Sequence, residues 1–265
     1  LNSYLCLPNM SELDTTPLYA MNPVERFSDR VEDYVKYRPS YPGAAIDRVL
    51  EGLSPPQTIA ADIGAGTGIS ARLLAQRGVR VLAIEPNAAM RQAAAPHPLV
   101  EFRNATAQAT GLADTTVNLV TCFQSFHWFD PEPTLLEFRR ILTEEGKLAI
   151  VWNERDRHDE FTLEYTHLIQ VASNYHPAEQ RRMAIEPLLA NSLFVNVQQY
   201  RFEYQQPLDL DGIIGRAMST SYIPRAGEAR EQLIADLQHL YEKHRNDRGL
   251  VTLAYTTSVF LAQTK

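Results

Sequence analysis

Through the middle of the chain, short apolar runs of strand length alternate with segments whose apolar residues recur at helical spacing. Runs at 58–62, 79–85, 100–103, 119–123 and 147–152 read as strands. Residues 70–77, 87–95 and 133–142, lying between them, read as helices. This alternation predicts a doubly wound, mostly parallel sheet with helices on both faces, because parallel neighbours need a crossover long enough to hold a helix. Upstream, Val24, Phe27, Val31, Tyr34 and Val35 fall on one helical face across 24–37, and Pro39 and Pro42 end that helix. Ile46, Val49, Leu50 and Leu53 mark a second helix, stopped by Pro55 and Pro56. Beyond Asn153 the rhythm breaks. Residues 156–192 are polar and helical in pattern, 195–204 alternate with period two, and Ala229, Leu233, Ile234, Leu237, Leu240 and Tyr241 form a helical stripe. Residues 250–262, rich in β-branched and aromatic side chains, read as a last strand. With 195–204 it is expected to make an antiparallel hairpin at the sheet edge, giving seven strands, with the helices between them as a cap. Residues 1–22 show no period and read as a flexible arm. The rest, 23–265, reads as one α/β domain. Its central sheet spans 57–153, and about 155–192 and 208–247 form the cap.

Composition narrows the class without naming it. The chain has 265 residues, 45% apolar and 22% charged, which is the make-up of a globular protein with a full core. Twenty-five basic against 32 acidic residues leave a formal charge of −7, which gives no support to nucleic-acid binding, where phosphates demand a basic face. Two cysteines, Cys6 and Cys122, provide neither a disulfide framework nor a zinc site, and no metal is expected. The longest apolar runs fall far short of the roughly 20 residues of a membrane span. The first ten residues lack the basic start of a secretory signal, so a cytoplasmic protein is expected, with neither membrane nor nucleic-acid partner.

The chemistry concentrates in Asp62-Ile63-Gly64-Ala65-Gly66-Thr67-Gly68, which follows a strand and opens a helix. Glycines at 64 and 66 permit a tight turn and let a ligand approach bare backbone. The helix start supplies unpaired N–H groups suited to an anion. Glu85 ends the next strand, and an acid there can accept hydrogen bonds from two ribose hydroxyls. These are the parts of a nucleoside site. The dinucleotide fingerprint G-x-G-x-x-G is not met, because Ile69 stands where the third glycine belongs.

These motifs make the chain resemble the class I S-adenosylmethionine-dependent methyltransferases, closest in texture to the methyltransferase type 11 and trans-aconitate methyltransferase-like branch. Residues 62–68 match that family's D-x-G-x-G-x-G, and Glu85-Pro86-Asn87-Ala88-Ala89-Met90 matches its E-P-s-x-x-M. Residues 105–120, the segment Gln124-Ser125-Phe126-His127-Trp128-Phe129, and the lead-in Arg38-Pro39-Ser40-Tyr41-Pro42 match further family patterns. The resemblance covers about 25–155 and implies a Rossmann-like fold with S-adenosyl-L-methionine as cofactor and S-adenosyl-L-homocysteine as product. It implies that Gly64, Ala65 and Gly66 face the methionine part, that Asp62 organises the loop, and that Glu85 holds the ribose. Pro86 and Met90 would lie beside the adenine, with Ala107 presenting backbone to it. Thr106 would stand where an Asp usually accepts from the adenine amino group. Gln124 would lie near the methyl group, with Tyr34 and Arg38 closing over the cofactor.

Methyl transfer is an in-line displacement, so the protein mainly has to align the partners. A general base is required only when the nucleophile carries a proton at neutral pH. His127 is the candidate for positioning a substrate carboxylate or acting as base. Trp128, Trp152, Asn153 and Tyr222 are the candidates for substrate contact. The expected function is methylation of a small molecule, with O-methylation of a carboxylate in view. Transfer to nitrogen or carbon stays open beside it, as do two other classes: a nicotinamide-dependent oxidoreductase and a non-catalytic nucleoside-binding protein.

Overall fold

The computed structural model describes residues 16–21, 30–180 and 185–265. Of the expected first helix, Val24 and Phe27 lie outside these residues; the described part is α1 (Val31–Tyr37), followed by α2 (Gly43–Leu50). The sheet then begins with β1 (Ile59–Ile63), α3 (Ile69–Ala75), β2 (Arg80–Ile84), α4 (Ala88–Gln92), β3 (Val100–Arg103) and β4 (Val117–Phe123). It continues with α5 (Pro131–Ile141) and β5 (Leu142–Arg155). The second half holds α6 (Glu160–Ala172), α7 (Pro177–Gln180), α8 (Glu186–Leu189), β6 (Phe194–Leu208), α9 (Leu210–Met218), α10 (Glu228–His244) and β7 (Val251–Thr264).

Among the described residues seven strands form one sheet in the order β3-β2-β1-β4-β5-β7-β6. The first five are parallel, while β7 runs antiparallel to β5 on one side and to β6 on the other. The expected antiparallel pair is therefore present, with β7 inside the sheet and β6 at the edge. The order reverses between β1 and β4. Their carboxyl ends diverge there, which opens the crevice where ligands bind in doubly wound sheets.

Each sheet face has its own core. Leu82, Ile84, Val120, Phe138, Leu148 and Trp152 belong to one; Ala60, Val81, Leu119 and Val151 pack with α2 and α3 in the other. A third core joins α6, α9 and α10 to the start of β7 through Phe161, Tyr165, Ile213, Leu237 and Tyr255. This is the predicted cap. Helix α1 is bound to α9. Arg30 Nη1 donates to the carbonyls of Met218 (2.8 Å) and Thr220 (2.7 Å), and Arg38 Nη2 donates to Ser219 O (2.9 Å). Cations suit the carbonyl-rich end of a helix. The two helices approach closely because residue 215 is glycine; a Cβ there would fall onto the Tyr37 ring.

The arm expected over 1–22 lies largely outside the described residues. Within it, Leu18–Ala20 forms one 3-10 turn with Leu18 buried, and this turn packs against a second one at Phe126–Trp128. Among the described residues no helix is long and apolar enough to cross a membrane.

Candidate functional site

The loop after β1 is held from below by Asp62. Its side chain is fully buried, with Oδ1 accepting from Thr121 Oγ1 (2.7 Å) on the neighbouring β4 and Oδ2 from Ser70 Oγ (2.6 Å) at the start of α3. Burial raises its pKa to about 6, with the nearby Glu85 charge adding to the rise and the two hydroxyls opposing it. Asp62 thus ties strand, loop and helix together and does not itself reach a cavity, in keeping with a loop-organising role. Gly64 turns the chain at φ +68°, and a Cβ there would lie 2.7 Å from Ser125 Cβ. Ser125 in turn donates to Ile63 O (2.6 Å), so the loops after β1 and β4 lock against each other.

Glu85 closes the other side. One carboxylate oxygen accepts from Gly66 N and the other from Asn87 N, each at 2.8 Å. Burial raises its pKa, and these two N–H groups counter the rise. Each oxygen keeps a second lone pair, so the group is oriented and still able to receive two hydroxyls.

Above these residues lies a cavity of about 480 Å³ lined by Glu85, Pro86, Met90, Thr106 and Ala107 among others, within the size range of small-molecule sites. A nucleoside fits this cradle on both counts: the volume, and a fixed carboxylate at its wall. A second, smaller cavity of about 70 Å³ adjoins it, and Ala65, Arg38, His127, Arg216 and Tyr222 are among its walls. Tyr34, Gly64, Phe123, Gln124 and Trp128 line both cavities and form the passage between them. Gln124 adopts φ +55°, a conformation that non-glycine residues seldom take and that clusters at functional sites. Its Nε2 donates to Asn153 O (2.8 Å).

Most of the residues predicted for the site meet here. Two are placed otherwise. Trp152 is 1% exposed and packs edge-on against Phe260, inside one sheet core. Asn153 is also buried. It donates to Ser40 O (2.9 Å) and accepts from Thr257 Oγ1 (2.6 Å). Neither lines either of these two cavities. Both faces of this sheet are covered, so a residue at the end of β5 points into packing whichever way it faces. They act on the site from behind: Trp152 Nε1 donates to His127 Nδ1 (3.2 Å), and Asn153 carries Gln124. With Nδ1 accepting, the neutral His127 ring carries its proton on Nε2.

Sequence reasoning did not single out Tyr19, Ala20 and Gln108 at the larger cavity, nor Tyr41, Arg216 and Tyr255 at the smaller one. Arg216 had a local cue, as the single basic residue in a helix, 210–218, whose one other charged residue is Asp211. Tyr19 had none, since its place depends on where the arm folds back.

Comparison with known proteins agrees with this geometry. The methyltransferase-domain family model matches residues 61–150. The chain is 31% identical to a methyltransferase of Mycobacterium bovis over 87% of its own length and 92% of that protein. It is 28% identical to a methyltransferase of Schizosaccharomyces pombe over 87% of its length and 96% of the relative. Among solved structures it is similar to a type II methyltransferase from Anaeromyxobacter dehalogenans, with TM-score 0.63 and 22% identity, covering 86% of this chain and 98% of that one.

Proposed function

The chain belongs to the class I S-adenosylmethionine-dependent methyltransferases, and from that premise we propose that it methylates a carboxylate oxygen of a small molecule held in the smaller cavity. The observation that carries this reading is the absence of a carboxylate base among that cavity's described walls. No Asp or Glu lines it, and the Nδ1 lone pair of His127 is taken by Trp152. An amine or a phenol needs a proton removed during transfer, whereas a carboxylate arrives without one. A Nε2–H on His127 serves instead as a donor that orients the acceptor carboxylate.

The bound cofactor supplies a methyl group already activated on a sulfonium. The residues of the chain do the rest. Glu85 receives the ribose hydroxyls, Met90 and Ala107 enclose the base, and Gly64 to Gly66 leave room for the methionine portion. Gln124, fixed by Asn153, and Tyr34 and Trp128 narrow the passage where the reacting atoms meet. Such alignment is worth roughly 7–11 kcal/mol in favourable cases.

Calorimetry with S-adenosylhomocysteine and with NAD, followed by a labelled-methyl assay over carboxylic acids, phenols and amines, tests the reading. Binding of S-adenosylhomocysteine and transfer to acids are expected. Transfer confined to amines would defeat the carboxylate assignment, and binding of NAD alone would defeat the cofactor assignment.

A further inference from the structure

Strand β6 closes one side of the sheet, and it is long, with 15 residues. Its inner edge pairs with β7. Among the described residues the backbone of 198–206 bonds to no other element, so the outer edge presents a row of unpaired N–H and C=O groups. Such an edge is a template for a further strand, and proteins blunt it with bulges, prolines or charge. In β6 the blunting devices stand only near the two ends. The ladder to β7 slips between Val195 and Gln198, with Asn196 at φ +54°, and Pro207, which has no N–H, stands at the far end. Between them, 198–206 keeps one unbroken register with β7.

That open stretch reads almost identically from either end: Gln198-Gln199-Tyr200-Arg201-Phe202-Glu203-Tyr204-Gln205-Gln206. The exception is Arg201 and Glu203, which take mirror positions about Phe202 with opposite charge. When two identical strands pair antiparallel about a two-fold axis, residues at mirror positions about that axis face each other. With the axis at Phe202, Arg201 faces Glu203 of the partner subunit, and the second such pair repeats it. Glutamine then faces glutamine and tyrosine faces tyrosine. An axis at residue 201 would instead set two arginines opposite each other, and an axis at 203 two glutamates. Like charges directly opposite are destabilising, so the sequence selects one register.

The two faces of the strand agree with this. Tyr200, Phe202 and Tyr204 are half-buried on one face, where the Arg48 guanidinium lies over the Tyr200 ring (4.4 Å). Gln199, Arg201, Glu203 and Gln205 are exposed on the other. Among the described residues neither Arg201 nor Glu203 has an ion-pair partner.

We propose that the outer edge of β6 is a docking surface for a second copy of this chain. Two protomers pair 198–206 antiparallel about a two-fold axis at Phe202, and their two sheets become one. Arg201 and Glu203 form an ion pair on each side of the axis. A second copy is the occupant because the mirrored order, with its inverted charges, complements the strand itself.

Sedimentation equilibrium of the full chain tests this. A dimer is expected at micromolar concentration. Arg201→Glu and Glu203→Arg each set like charges opposite one another on both sides of the axis, and each should raise the dimer Kd at least about tenfold. Both substitutions in one chain reverse every pair and should restore the dimer. Mixing the two single variants should do so as well, because every facing pair then has opposite charges. Thermal unfolding checks that each variant folds. A second pair of substitutions reads the register without changing charge. Gln199→Cys and Gln205→Cys in one chain should cross-link two protomers under mild oxidation beyond the wild-type level, since directly opposed Cα atoms lie within disulfide reach. Either one alone faces a glutamine and should not. A wild type that stays monomeric, a dimer indifferent to both charge reversals, reversals that do not rescue each other, or no added cross-link overturns the inference. β6 lines neither cavity, so none of these outcomes bears on the methyl-transfer reading.

Discussion

Asp62 and Trp152 brace the site without lining either of its two cavities. The Asp62 carboxyl has a folded pKa of about 6 against an ordinary 3.8. Below pH 3.8 both states hold the proton and the group's contribution to stability is full. As pH rises through 6 the unfolded chain releases its proton first, so stability is lost over that window, by about 3 kcal/mol at most. In urea unfolding from pH 4 to 7, Asp62→Asn should remove this share of the pH dependence, flattening the profile relative to wild type. Trp152→Phe deletes only the indole N–H. Nitrogen NMR shifts of the His127 ring should then move from one tautomer towards a mixture, while S-adenosylhomocysteine affinity stays within about twofold. An unchanged spectrum would show that Trp152 does not set the tautomer. The cofactor side was legible in the chain because its parts are local: a strand, two glycines and an acid twenty-one residues after the first of them lie in one crossover unit. The apolar run ends a strand at Trp152, whereas β5 runs on to Arg155 and takes in Asn153. The apparent role of Trp152 and Asn153 as contacts failed because packing on both faces of a sheet is not written in one strand's pattern.

At the scale of elements, the α1–α9 contact brings together walls of the smaller cavity. Tyr34 and Arg38 ride on and just beyond α1, and Arg216 rides on α9 one residue from Gly215. In an isolated helix Gly→Ala is stabilising by about 1 kcal/mol. Here a methyl group at 215 has to displace the Tyr37 ring, so Gly215→Ala should instead lower stability by about 1–3 kcal/mol and weaken S-adenosylhomocysteine binding by moving Tyr34. Thermal unfolding and calorimetry check both, and a stabilised variant with normal affinity would show that the two helices are free to separate. The strands themselves were readable from alternation and β-branched content. Their order was only partly so. Nothing local in 251–264 tells the chain to enter between β5 and β6, since that pairing spans more than forty residues of cap.

For the whole molecule, three cores imply more than one stability. The two sheet cores share β1 and β4 at their centre, whereas among the described residues the cap core of α6, α9 and α10 meets the sheet through the ends of β5, β6 and β7. Such a unit opens before the rest. Amide hydrogen exchange should therefore be at least about tenfold faster in α9 and α10 than in β1 and β4. Equal protection throughout would show a single cooperative unit. The placement of that cap in the connection between β6 and β7 has a consequence over generations. The residues that line the larger cavity all lie between 19 and 130, while Arg216, Ser221 and Tyr222 come from a separate stretch. Substitutions in 209–227 can thus reshape the smaller cavity without disturbing a hydrogen bond of Asp62 or Glu85. Descendants of one ancestral gene are free to trade acceptors while inheriting the same methyl donor.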